Sequence, residues 1–567
     1  MSNVPAGPLG FLRKENIVAP EGYNRWRVPP ASIAIHLCIG SVYAWSVFNP
    51  PLTRLGGVVA PAASDWTLSS VVWIFSVAIV VLGLTAAVGG KWLEKVGPRY
   101  VGVVAGCLWA SGFVLGSFGI SLGQLWMVYL GYGVLGGMGL GLGYVSPVST
   151  LIRWFPDRRG MATGMAIMGF GGGAMIGAPL KTWLLSIYQK APDYLGAEAA
   201  VNLVTEGGRR FAETANGMVE VVVASAAQAA PFGGDAGVYV VGTGNTGVAG
   251  AFMTLGIVYF IVMITAAFQY RVPREGWKPE GWEPAPAKGG MVTRNNVHID
   301  EAHKTPQFWL LWIVLCFNVT AGIGVIGVAK TMINEIFGDL ALVTAAFAGT
   351  YVLMISVFNM VGRFFWASTS DFIGRKNTYH CFFILGTLLY CTIPFFAGSG
   401  GVTALIGFYI ATMIIFTMYG GGFATIPAYL ADIFGTLHVG GIHGRLLTAW
   451  STAGVLGPFA ITFLRERSKD NAIADLAASV DPAAFAEKFG APIAQLNELV
   501  AANTVTIARL MEIAPAGTVD PTSSLYNTTM FCMAALLVIA FVANALVRPV
   551  GEKHHVTKTH PSAVPAE

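Results

Sequence analysis

The sequence predicts an all-α membrane protein with twelve transmembrane helices in two pseudo-symmetric six-helix bundles. Three observations support this fold class. Of the 567 residues, 54% are hydrophobic and 11% charged, with a mean hydropathy of +0.62, whereas soluble domains carry about 25% charged residues. Apolar stretches of about 20 residues recur, and each can cross a hydrocarbon core of about 30 Å as a helix. Landmarks of the first half return in the second half at a nearly constant offset.

The apolar stretches predict the helices and the segments between them predict the domains. The predicted spans are 29–51, 67–90, 99–120, 124–150, 160–188, 247–270, 306–329, 342–366, 376–397, 402–427, 444–464 and 524–547. The predicted domains are an N-terminal tail at 1–28, a bundle at 29–270, a linker at 271–305, a bundle at 306–547 and a C-terminal tail at 548–567. The linker is rich in Pro, Gly and charge, as a flexible connection should be.

Basic residues gather in alternate short loops, which predicts the orientation in the membrane. By the positive-inside rule these loops and both termini are cytoplasmic. The N-terminus lacks the pattern of a signal peptide, so we expect a mature tail in a bacterial inner-membrane protein. With a net charge of only +4, we interpret the loops as topology signals and not as nucleic-acid sites. Their basic residues are Lys91, Lys95, Arg99, Arg153, Arg158, Arg159, Arg375 and Lys376.

An internal repeat relates the two halves of the chain. The offset is 277 residues from Gly97 to Gly374, and 279 residues both from Phe155 to Phe434 and from Pro179 to Pro458. A constant offset across three landmarks predicts two bundles of common plan.

Two long loops interrupt the bundles at matching places, 189–246 after the fifth span and 465–522 after the eleventh. Both are predicted to be extracytoplasmic. The first contains the strand-like stretches "VEVVVAS" and "GVYVVGTG", and the second shows helical periodicity. We expect a small cap over the outer mouth, with three roles open: a rim, a docking site for a partner, or no functional role.

Several motifs that indicate cofactors or metals elsewhere do not do so here. The stretch "GYGVLGG" lies inside a predicted span, where Gly133, Gly137 and Gly141 repeat every four residues and favour close helix packing over dinucleotide binding. The six cysteines fall within predicted spans without CxxC spacing, so we expect neither a disulfide framework nor a zinc site. We therefore expect no cofactor and no metal.

The histidines within or near the spans do not indicate catalysis. No nucleophile arrangement surrounds them, so the sequence predicts no enzyme, and we interpret these histidines as interfacial polar residues near cytoplasmic helix ends. Of the four, which are His36, His380, His438 and His443, the first is placed where it can titrate.

Two cations stand alone inside predicted spans, Lys181 and Arg363, and no carboxylate lies deep in any span. Ionisable residues within the membrane are costly and mark functional sites, and a cationic centre favours an anionic substrate. Arg363 precedes Asp371 by eight residues, about 12 Å along a helix, which is an awkward distance for snorkelling. Two alternatives to a functional role stay open: Arg363 reaches the inner interface, or it braces against a backbone carbonyl. In the first half, the position equivalent to Arg363 by the repeat is Ala86, so only the second half carries the arginine. Asn359 lies one turn before Arg363 on the same helix face.

The loops after spans two and eight resemble the cytoplasmic motif of the major facilitator superfamily. The two copies read "GGKWLEKVGPR" and "ASTSDFIGRK". The resemblance implies the major facilitator fold and a charged brace that holds the bundles together in one conformational state. The residues that match are Gly90, Glu94, Lys95, Gly97 and Arg99 in the first copy, and Asp371, Gly374, Arg375 and Lys376 in the second.

Further stretches are similar to the oxalate/formate antiporter family, distant relatives of the monocarboxylate transporters. They are "GSVYAWSVFNPPL", "TPQFWLLW", "GVAKTM", "GGGFATIPAYLADIFG" and "LLTAWSTAGVLGP". The resemblance implies exchange or symport of small carboxylates, with Arg363 as the anion ligand. We propose Asn359 as a second substrate contact because its amide lies on the same helix face. It also implies aromatic walls, for which the matching residues are Tyr43, Trp45, Tyr132 and Tyr419.

Two departures from the family pattern refine the prediction. Oxalate exchangers of the family carry a second cation in span eleven, where this chain has Trp450, and a single cation suits a monoanion. Proton-coupled relatives often have an aspartate where this chain has Asn359. We predict a monomeric secondary transporter that moves lactate, formate or oxalate across the bilayer by antiport or proton symport. The alternatives are a carrier for a sugar or drug, and a non-transporting receptor that uses the outer cap.

Overall fold

A computed structural model describes residues 9–206, 209–215, 217–224, 226–283, 291–293, 295–489, 492–501, 505 and 507–556. Twelve helices in this part of the chain are long and apolar enough to cross a membrane, which confirms the predicted number. They are α1 (Val28–Gly40, which reaches spanning length as Arg25–Val47 together with the 3-10 segments on either side), α2 (Leu68–Val96), α3 (Pro98–Ser121), α4 (Leu125–Trp154), α5 (Arg159–Tyr188), α6 (Val248–Phe268), α7 (Pro306–Phe337), α8 (Ala345–Ile373), α9 (Arg375–Ser399), α10 (Gly401–Phe434), α11 (Val439–Ser479) and α12 (Asn527–Leu546). We call α1–α6 the first half and α7–α12 the second half.

Several helices extend past their predicted ends, which were 90 for α2, 329 for α7, 366 for α8, 427 for α10 and 464 for α11. In α11 the extension contains "RERSKD", whose residues are mostly good helix formers but are too polar for a membrane core. Apolarity marks the part of a helix that lies in lipid, so it cannot locate a helix end beyond the lipid.

Two spans of the first half depart from regular α-helix in ways that hydropathy does not predict. After α1 the chain tightens into a 3-10 helix at Ser41–Val47, where Ala44 has φ −93° and ψ 24°, before a short helical turn at Asn49–Leu52. In α4 the stretch Tyr129–Gly136 is a π-helix. Such wide turns are rare and occur mostly at functional sites.

The same turn joins α2 to α3 and α8 to α9. Gly97 and Gly374 end the first helix of each pair with φ values of 94° and 86°. This left-handed region is one that glycine adopts without steric cost. We call the end of the molecule that carries these turns the basic end, and the opposite end, with the two inserted loops, the insertion end.

The two halves meet along two helix pairs that the repeat makes equivalent, α5 with α8 and α11 with α2. Small residues allow the backbones to touch. A Cβ added to Gly160 would lie 2.0 Å from the carbonyl oxygen of Ala367, and one added to Gly444 would lie 2.0 Å from that of Ala86. These contacts begin at the basic end and continue to Met360 beside Gly171 and to Ile79 beside Gly454, so the halves are closed against each other on that side.

The first inserted loop contains a five-stranded antiparallel sheet in the order β1-β5-β4-β3-β2. Its core joins the segment between α1 and α2, since Val59 and Ala60 pack with Val222 and Tyr239. The sheet is therefore anchored to the first half. The strands are β1 (Tyr194–Gly196), β2 (Leu203–Glu206), β3 (Arg209–Thr214), β4 (Gly217–Ala224) and β5 (Gly237–Val240).

The second inserted loop continues α11 and then forms short helices at Pro482–Phe489, Leu496–Ala501 and Ile507–Met511. Its start is tied to the second half, because Arg465 forms an ion pair with Glu335 of α7. The Tyr526 hydroxyl beside α12 donates a 2.5 Å hydrogen bond to the same carboxylate. Each insertion is thus fixed to its own half.

Candidate functional site

Arg363 lies fully buried on α8 at the contact between the two halves. Its Nε donates a 2.9 Å hydrogen bond to the Asn359 Oδ1 one turn earlier, so the side-chain amide orients the guanidinium. Its Nη1 donates across the interface to the carbonyl oxygen of Ile167 on α5, at 3.2 Å. The Arg363 Cζ lies 5.6 Å from the ring centroid of Phe170 and 5.3 Å from that of Phe423. Arg363 does not snorkel to the basic end, and its contact with the Ile167 carbonyl oxygen is the brace against a backbone carbonyl that the sequence left open.

Polar atoms without partners converge on this guanidinium. Within the described part of the chain, Arg363 Nη2 has no hydrogen-bond partner, although it is buried. The hydroxyls of Tyr43 and Tyr419, one from each half, lie close to each other, and that of Tyr43 lies close to Arg363. Both hydroxyls also lack a partner of acceptable geometry. Buried donors without acceptors are costly, and a carboxylate accepts hydrogen bonds from such donors.

Aromatic rings from both halves enclose these polar atoms. The Trp450 ring lies 4.7 Å from Phe423, 5.3 Å from Tyr144 and 5.5 Å from Phe170, measured between centroids. Tyr43 packs edge-on against Phe170 at 5.0 Å. We call Arg363, Asn359, Tyr43, Tyr144, Phe170, Tyr419, Phe423 and Trp450 the central cluster.

Sequence reasoning missed three members of the central cluster, which are Tyr144, Phe170 and Phe423. Each directly follows a glycine inside a predicted span, in "GLGY", "MGF" and "GGGF". A glycine beside an aromatic residue leaves space for another helix to approach the ring. The same pattern precedes Phe113, Tyr132 and Phe408, which lie outside the central cluster, so it does not locate the site by itself.

Two aromatic residues that the resemblance implied as substrate contacts lie elsewhere. Trp45 and Tyr132 stack on each other at 4.4 Å and pack with Trp109 and Phe252 inside the first half. Residues two apart in a helix do not share a face, so Trp45 points away from the face that carries Tyr43. The structure therefore brings Tyr43, Tyr419 and Trp450 together with Arg363, but not Trp45 or Tyr132.

Lys181 is also separate from the central cluster. It is fully buried on α5, where its Nζ donates a 2.6 Å hydrogen bond to the carbonyl oxygen of Ser41 and lies 4.9 Å from the Phe48 ring centroid. The lysine is thus held by the 3-10 helix of its own half.

The prediction of interfacial histidines is wrong for two of the four. His36 and His443 are 0% and 1% exposed and both stack against Tyr144, at 5.2 and 5.8 Å. The prediction assumed that a residue near a helix end lies at the membrane interface. Here α4 and α5 cover the start of α1, and α2 covers the start of α11, so both histidines are buried. His438 instead pairs with Glu94 at the basic end, and His380 packs on Phe541.

The second copy of the repeated motif joins α8 to α5. Asp371 accepts hydrogen bonds from the backbone nitrogens of Gly160 and Met161, at 2.8 and 2.9 Å. These two amides lie in the first turn of α5, where free N–H groups and the helix dipole favour a negative charge. Arg375 orients the carboxylate through a 2.7 Å ion pair. We call this contact the α8–α5 clasp.

The first copy forms the equivalent contact between α2 and α11. Glu94 accepts a 3.1 Å hydrogen bond from the backbone nitrogen of Gly441, in the first turn of α11, and pairs with His438 at 2.7 Å. Gly90 lies one turn earlier, so close that an added Cβ would lie 2.6 Å from Gly441 Cα. We call this contact the α2–α11 clasp.

Other residues of the motif hold their own half together. The Arg99 guanidinium donates to the carbonyl oxygens of Phe11 and Tyr270, beyond the end of α6. Lys376 donates in the same way to Ala545 and Val547 at the end of α12. Lys95 is exposed on the surface of the basic end.

Sequence reasoning missed Asp432, Asp300 and Arg445, three further charged residues in ion pairs that connect the two halves. Asp432 on α10 pairs with Arg159 of the first half at 3.0 Å and with Arg375 at 3.1 Å. In the linker, Asp300 pairs with Lys91 of the first half and Arg445 of the second, at 2.8 and 2.6 Å. The Lys91 ammonium and then the Arg445 guanidinium hold the pKa of Asp300 well below its usual range. The signal for Asp432 was an acidic residue that ends an apolar run.

Comparison with known proteins identifies the family. Residues 33–194 and 209–464 match the family model of the Major Facilitator Superfamily, which covers most of the chain. The chain belongs to the major facilitator superfamily. As a member of this superfamily it is an integral, multi-pass membrane transporter and not an enzyme.

Relatives within the superfamily support the resemblance that the motifs indicate. The oxalate:formate antiporter of Oxalobacter formigenes is 27% identical over 440 residues, which are 76% of this chain and 83% of that protein. Monocarboxylate transporter 13 of Rattus norvegicus is 38% identical over 127 residues, 22% of this chain and 29% of that protein. Among solved structures, the Escherichia coli fucose:proton symporter matches with a TM-score of 0.54 at 10% identity, covering 92% of this chain and 98% of that one. This last likeness confirms the major facilitator fold.

Proposed function

We propose that this major facilitator protein is a secondary active transporter for a small organic anion, with Arg363 as the principal ligand. The observation that carries the proposal is the central cluster. A buried guanidinium without a carboxylate among its described contacts lies between the two halves, with one N–H group and two tyrosine hydroxyls unpaired around it. A carboxylate bound to Arg363 neutralises the charge and accepts these hydrogen bonds.

The chemistry of the site favours a monocarboxylate such as lactate or formate over the dianion oxalate. Arg363 supplies one positive charge, and the second intramembrane cation, Lys181, is bound to Ser41 within the first half. Span eleven contributes the Trp450 ring to the site. The oxalate:formate antiporter and the monocarboxylate transporter among the relatives support an organic anion as the substrate class.

Transport in this proposal is alternating access by a monomer. The two halves rock about the anion, and the two clasps close the basic end while the insertion end admits the substrate. We place the basic loops and both termini in the cytoplasm and the protein in a bacterial inner membrane, because the basic residues gather at one end. The proposal also includes the domain bounds predicted from the sequence and the small cap that the two inserted loops are expected to form over the outer mouth.

Uptake into proteoliposomes tests the proposed function. Purified protein is reconstituted, and radiolabelled formate, lactate and oxalate are offered in turn against an internal counter-anion or an inward proton gradient. We expect saturable uptake of a monocarboxylate that excess unlabelled monocarboxylate inhibits. Failure of all three anions under both conditions, or uptake of a neutral sugar or a cationic dye in their place, contradicts the proposal.

A further inference from the structure

Two buried histidines lie beside the central cluster, and the proposed function uses neither. His36 belongs to α1 in the first half and His443 to α11 in the second half, and both contact the ring of Tyr144. His443 Nε2 has no hydrogen-bond partner within the described residues. Polar side chains rarely lie at such depth without a role.

The acceptors around His36 fit a protonated ring. Nδ1 lies 2.5 Å from the carbonyl oxygen of Ala166 on α5, and Nε2 lies 3.2 Å from that of Tyr144 on α4. A carbonyl oxygen only accepts hydrogen bonds. A neutral imidazole carries one N–H group, so one of its nitrogens must direct a lone pair at a carbonyl oxygen. An imidazolium carries two N–H groups and donates to both carbonyls.

The charges around His36 oppose this protonation while Arg363 is unpaired. Both side chains contact Phe170, with the His36 ring centroid at 6.3 Å and the Arg363 Cζ at 5.6 Å from the ring centroid. Burial of the ring disfavours the charged form of His36, and the positive charge of Arg363 adds a repulsion. The titratable and charged groups that face His36 or the next turn of α1 are Tyr144 from α4, Lys181 from α5, Tyr259 from α6, Arg363 from α8 and His443 from α11.

We propose that His36 is the proton-binding residue of the transport cycle and that it binds its proton together with the anion at Arg363. This inference rests on the proposed function. When a carboxylate neutralises Arg363, the repulsion falls, and the unprotonated ring nitrogen of His36 takes a proton that its facing carbonyl stabilises. By thermodynamic linkage the protonated His36 raises the affinity for the anion by the same factor. Both leave together when the site opens on the other side.

His36 supplies the proton acceptor that is missing at position 359, where proton-coupled relatives often have an aspartate. Asn359, in the turn before Arg363, cannot titrate, and its amide oxygen is committed to the Arg363 Nε. His443 lies close enough to His36 for the two charges to repel, so we expect one proton for each anion and not two.

Proton flux and anion flux measured in the same proteoliposomes test the inference. The probes are labelled lactate, formate or oxalate, whichever the wild type exchanges, and a pH-sensitive dye trapped inside the vesicles. We expect the wild type to carry about one proton with each anion. His36→Gln keeps an N–H donor but cannot ionise, so it should still exchange labelled for unlabelled anion at equal pH. Its accumulation driven by a proton gradient should fall roughly tenfold or more.

A matched control separates the proton site from a general effect of losing a histidine. His380→Gln removes a histidine of α9 that packs on Phe541, away from the central cluster, and should retain wild-type accumulation. His36→Asn is measured beside His36→Gln, and a thermal unfolding transition for each variant shows that it is folded.

The outcomes distinguish the inference from the proposed function. A wild type that moves anions without protons, or a His36→Gln variant that accumulates anion as the wild type does, overturns the inference and leaves the proposed function intact. A wild type that exchanges none of the three anions overturns both.

Discussion

At the scale of single residues, Arg363 combines an energetic cost with a chemical use. Its described hydrogen bonds go to neutral oxygens, of Asn359 and Ile167, so its charge is solvated by dipoles and rings and not by a carboxylate. A cation at the centre of a membrane helix costs about 2.5–3.5 kcal/mol even on the lowest scales. We infer that the ligand-free protein carries part of this cost and that anion binding offsets it.

Replacing Arg363 with methionine should therefore stabilise the ligand-free protein and abolish its response to anions. Methionine keeps an unbranched chain of similar reach and removes the buried charge, so we expect the free energy of unfolding to rise by roughly 1 kcal/mol. Thermal unfolding of the purified variant, with and without the monocarboxylate found by the uptake assay, measures both effects. An anion-dependent rise in the unfolding temperature that survives in Arg363→Met would contradict the assignment of Arg363 as ligand.

Lys181→Met is the control for this experiment. This variant also removes a fully buried cation without a described carboxylate contact. The Lys181 ammonium, however, donates to the Ser41 carbonyl oxygen and lies over the Phe48 ring, both in the first half. We expect a similar gain in stability with the anion response retained.

The candidate site was only partly predictable from sequence. Arg363, Asn359, Tyr43, Tyr419 and Trp450 were named from charge and resemblance, and the structure brings them together. Trp45 and His36 were misplaced because the direction of a side chain around its helix and the covering of a helix end depend on packing between helices. Neither effect leaves a mark in hydropathy, which reports the environment of a segment and not the direction of a side chain.

At the scale of elements, the two clasps are the same device used twice. Each places a carboxylate of one half on the first-turn amides of a helix in the other half, Asp371 on α5 and Glu94 on α11. Such charge-assisted bonds contribute roughly 1.5–3 kcal/mol where they are shielded from water. Both must break before the basic end can open.

Asp371→Asn should shift the protein toward states that are open at the basic end. The amide keeps the shape but loses the charge that α5 and Arg375 stabilise, which corresponds to a population shift of roughly tenfold. The reporter is Thr163→Cys, a buried position on α5 near the clasp, in a background with the six native cysteines replaced by alanine. A water-soluble maleimide should modify this cysteine roughly ten times faster in Asp371→Asn.

Lys376→Gln provides the comparison within the same motif. Lys376 binds the end of α12 in its own half, so its loss should not expose Thr163→Cys. Equal labelling rates in Asp371→Asn and Lys376→Gln would show that the α8–α5 clasp does not keep the basic end closed.

The existence of each helix was easier to predict from the sequence than the residue at which the helix ends. Hydrophobic length located all twelve spans, and the repeat located the turns at Gly97 and Gly374. The 41–47 helix, the wide turns of α4 and the overrun of α11 to Ser479 were not predicted. These features depend on local hydrogen bonding and on contacts outside the lipid, about which span length carries no information.

At the scale of the whole molecule, transport requires that the two halves move relative to each other. The central cluster draws on the 3-10 helix after α1, on α4 and on α5 from one side and on α8, α10 and α11 from the other. A rigid particle therefore cannot expose Arg363 to both sides in turn. The matched contacts α5–α8 and α2–α11 are the surfaces that must separate and reform.

A disulfide across this contact should stop transport reversibly. A Cβ added to Gly454 on α11 would lie 3.8 Å from the Cβ of Ile79 on α2, near the mean for disulfides. In the cysteine-free background, Ile79→Cys with Gly454→Cys should lose anion exchange on oxidation and regain it on reduction, as measured in proteoliposomes.

The control is a disulfide of similar geometry inside one half. A Cβ added to Gly133 would lie 3.5 Å from the Cβ of Val77, and both residues belong to the first half. Val77→Cys with Gly133→Cys should exchange anion whether oxidised or reduced. Full exchange by the oxidised Ile79→Cys, Gly454→Cys variant would rule out the separation of α2 from α11 as a step of transport.

The five-stranded sheet gives this small transporter a feature that imaging can use. It is joined to the segment between α1 and α2 by a shared core and by a 2.8 Å hydrogen bond from the Gly242 nitrogen to the Gly56 carbonyl oxygen. A 59.9 kDa protein inside a detergent micelle offers little contrast for single-particle electron microscopy. The sheet is anchored to the first half, so it serves as an alignment mark for that half and its tilt reports the rocking angle.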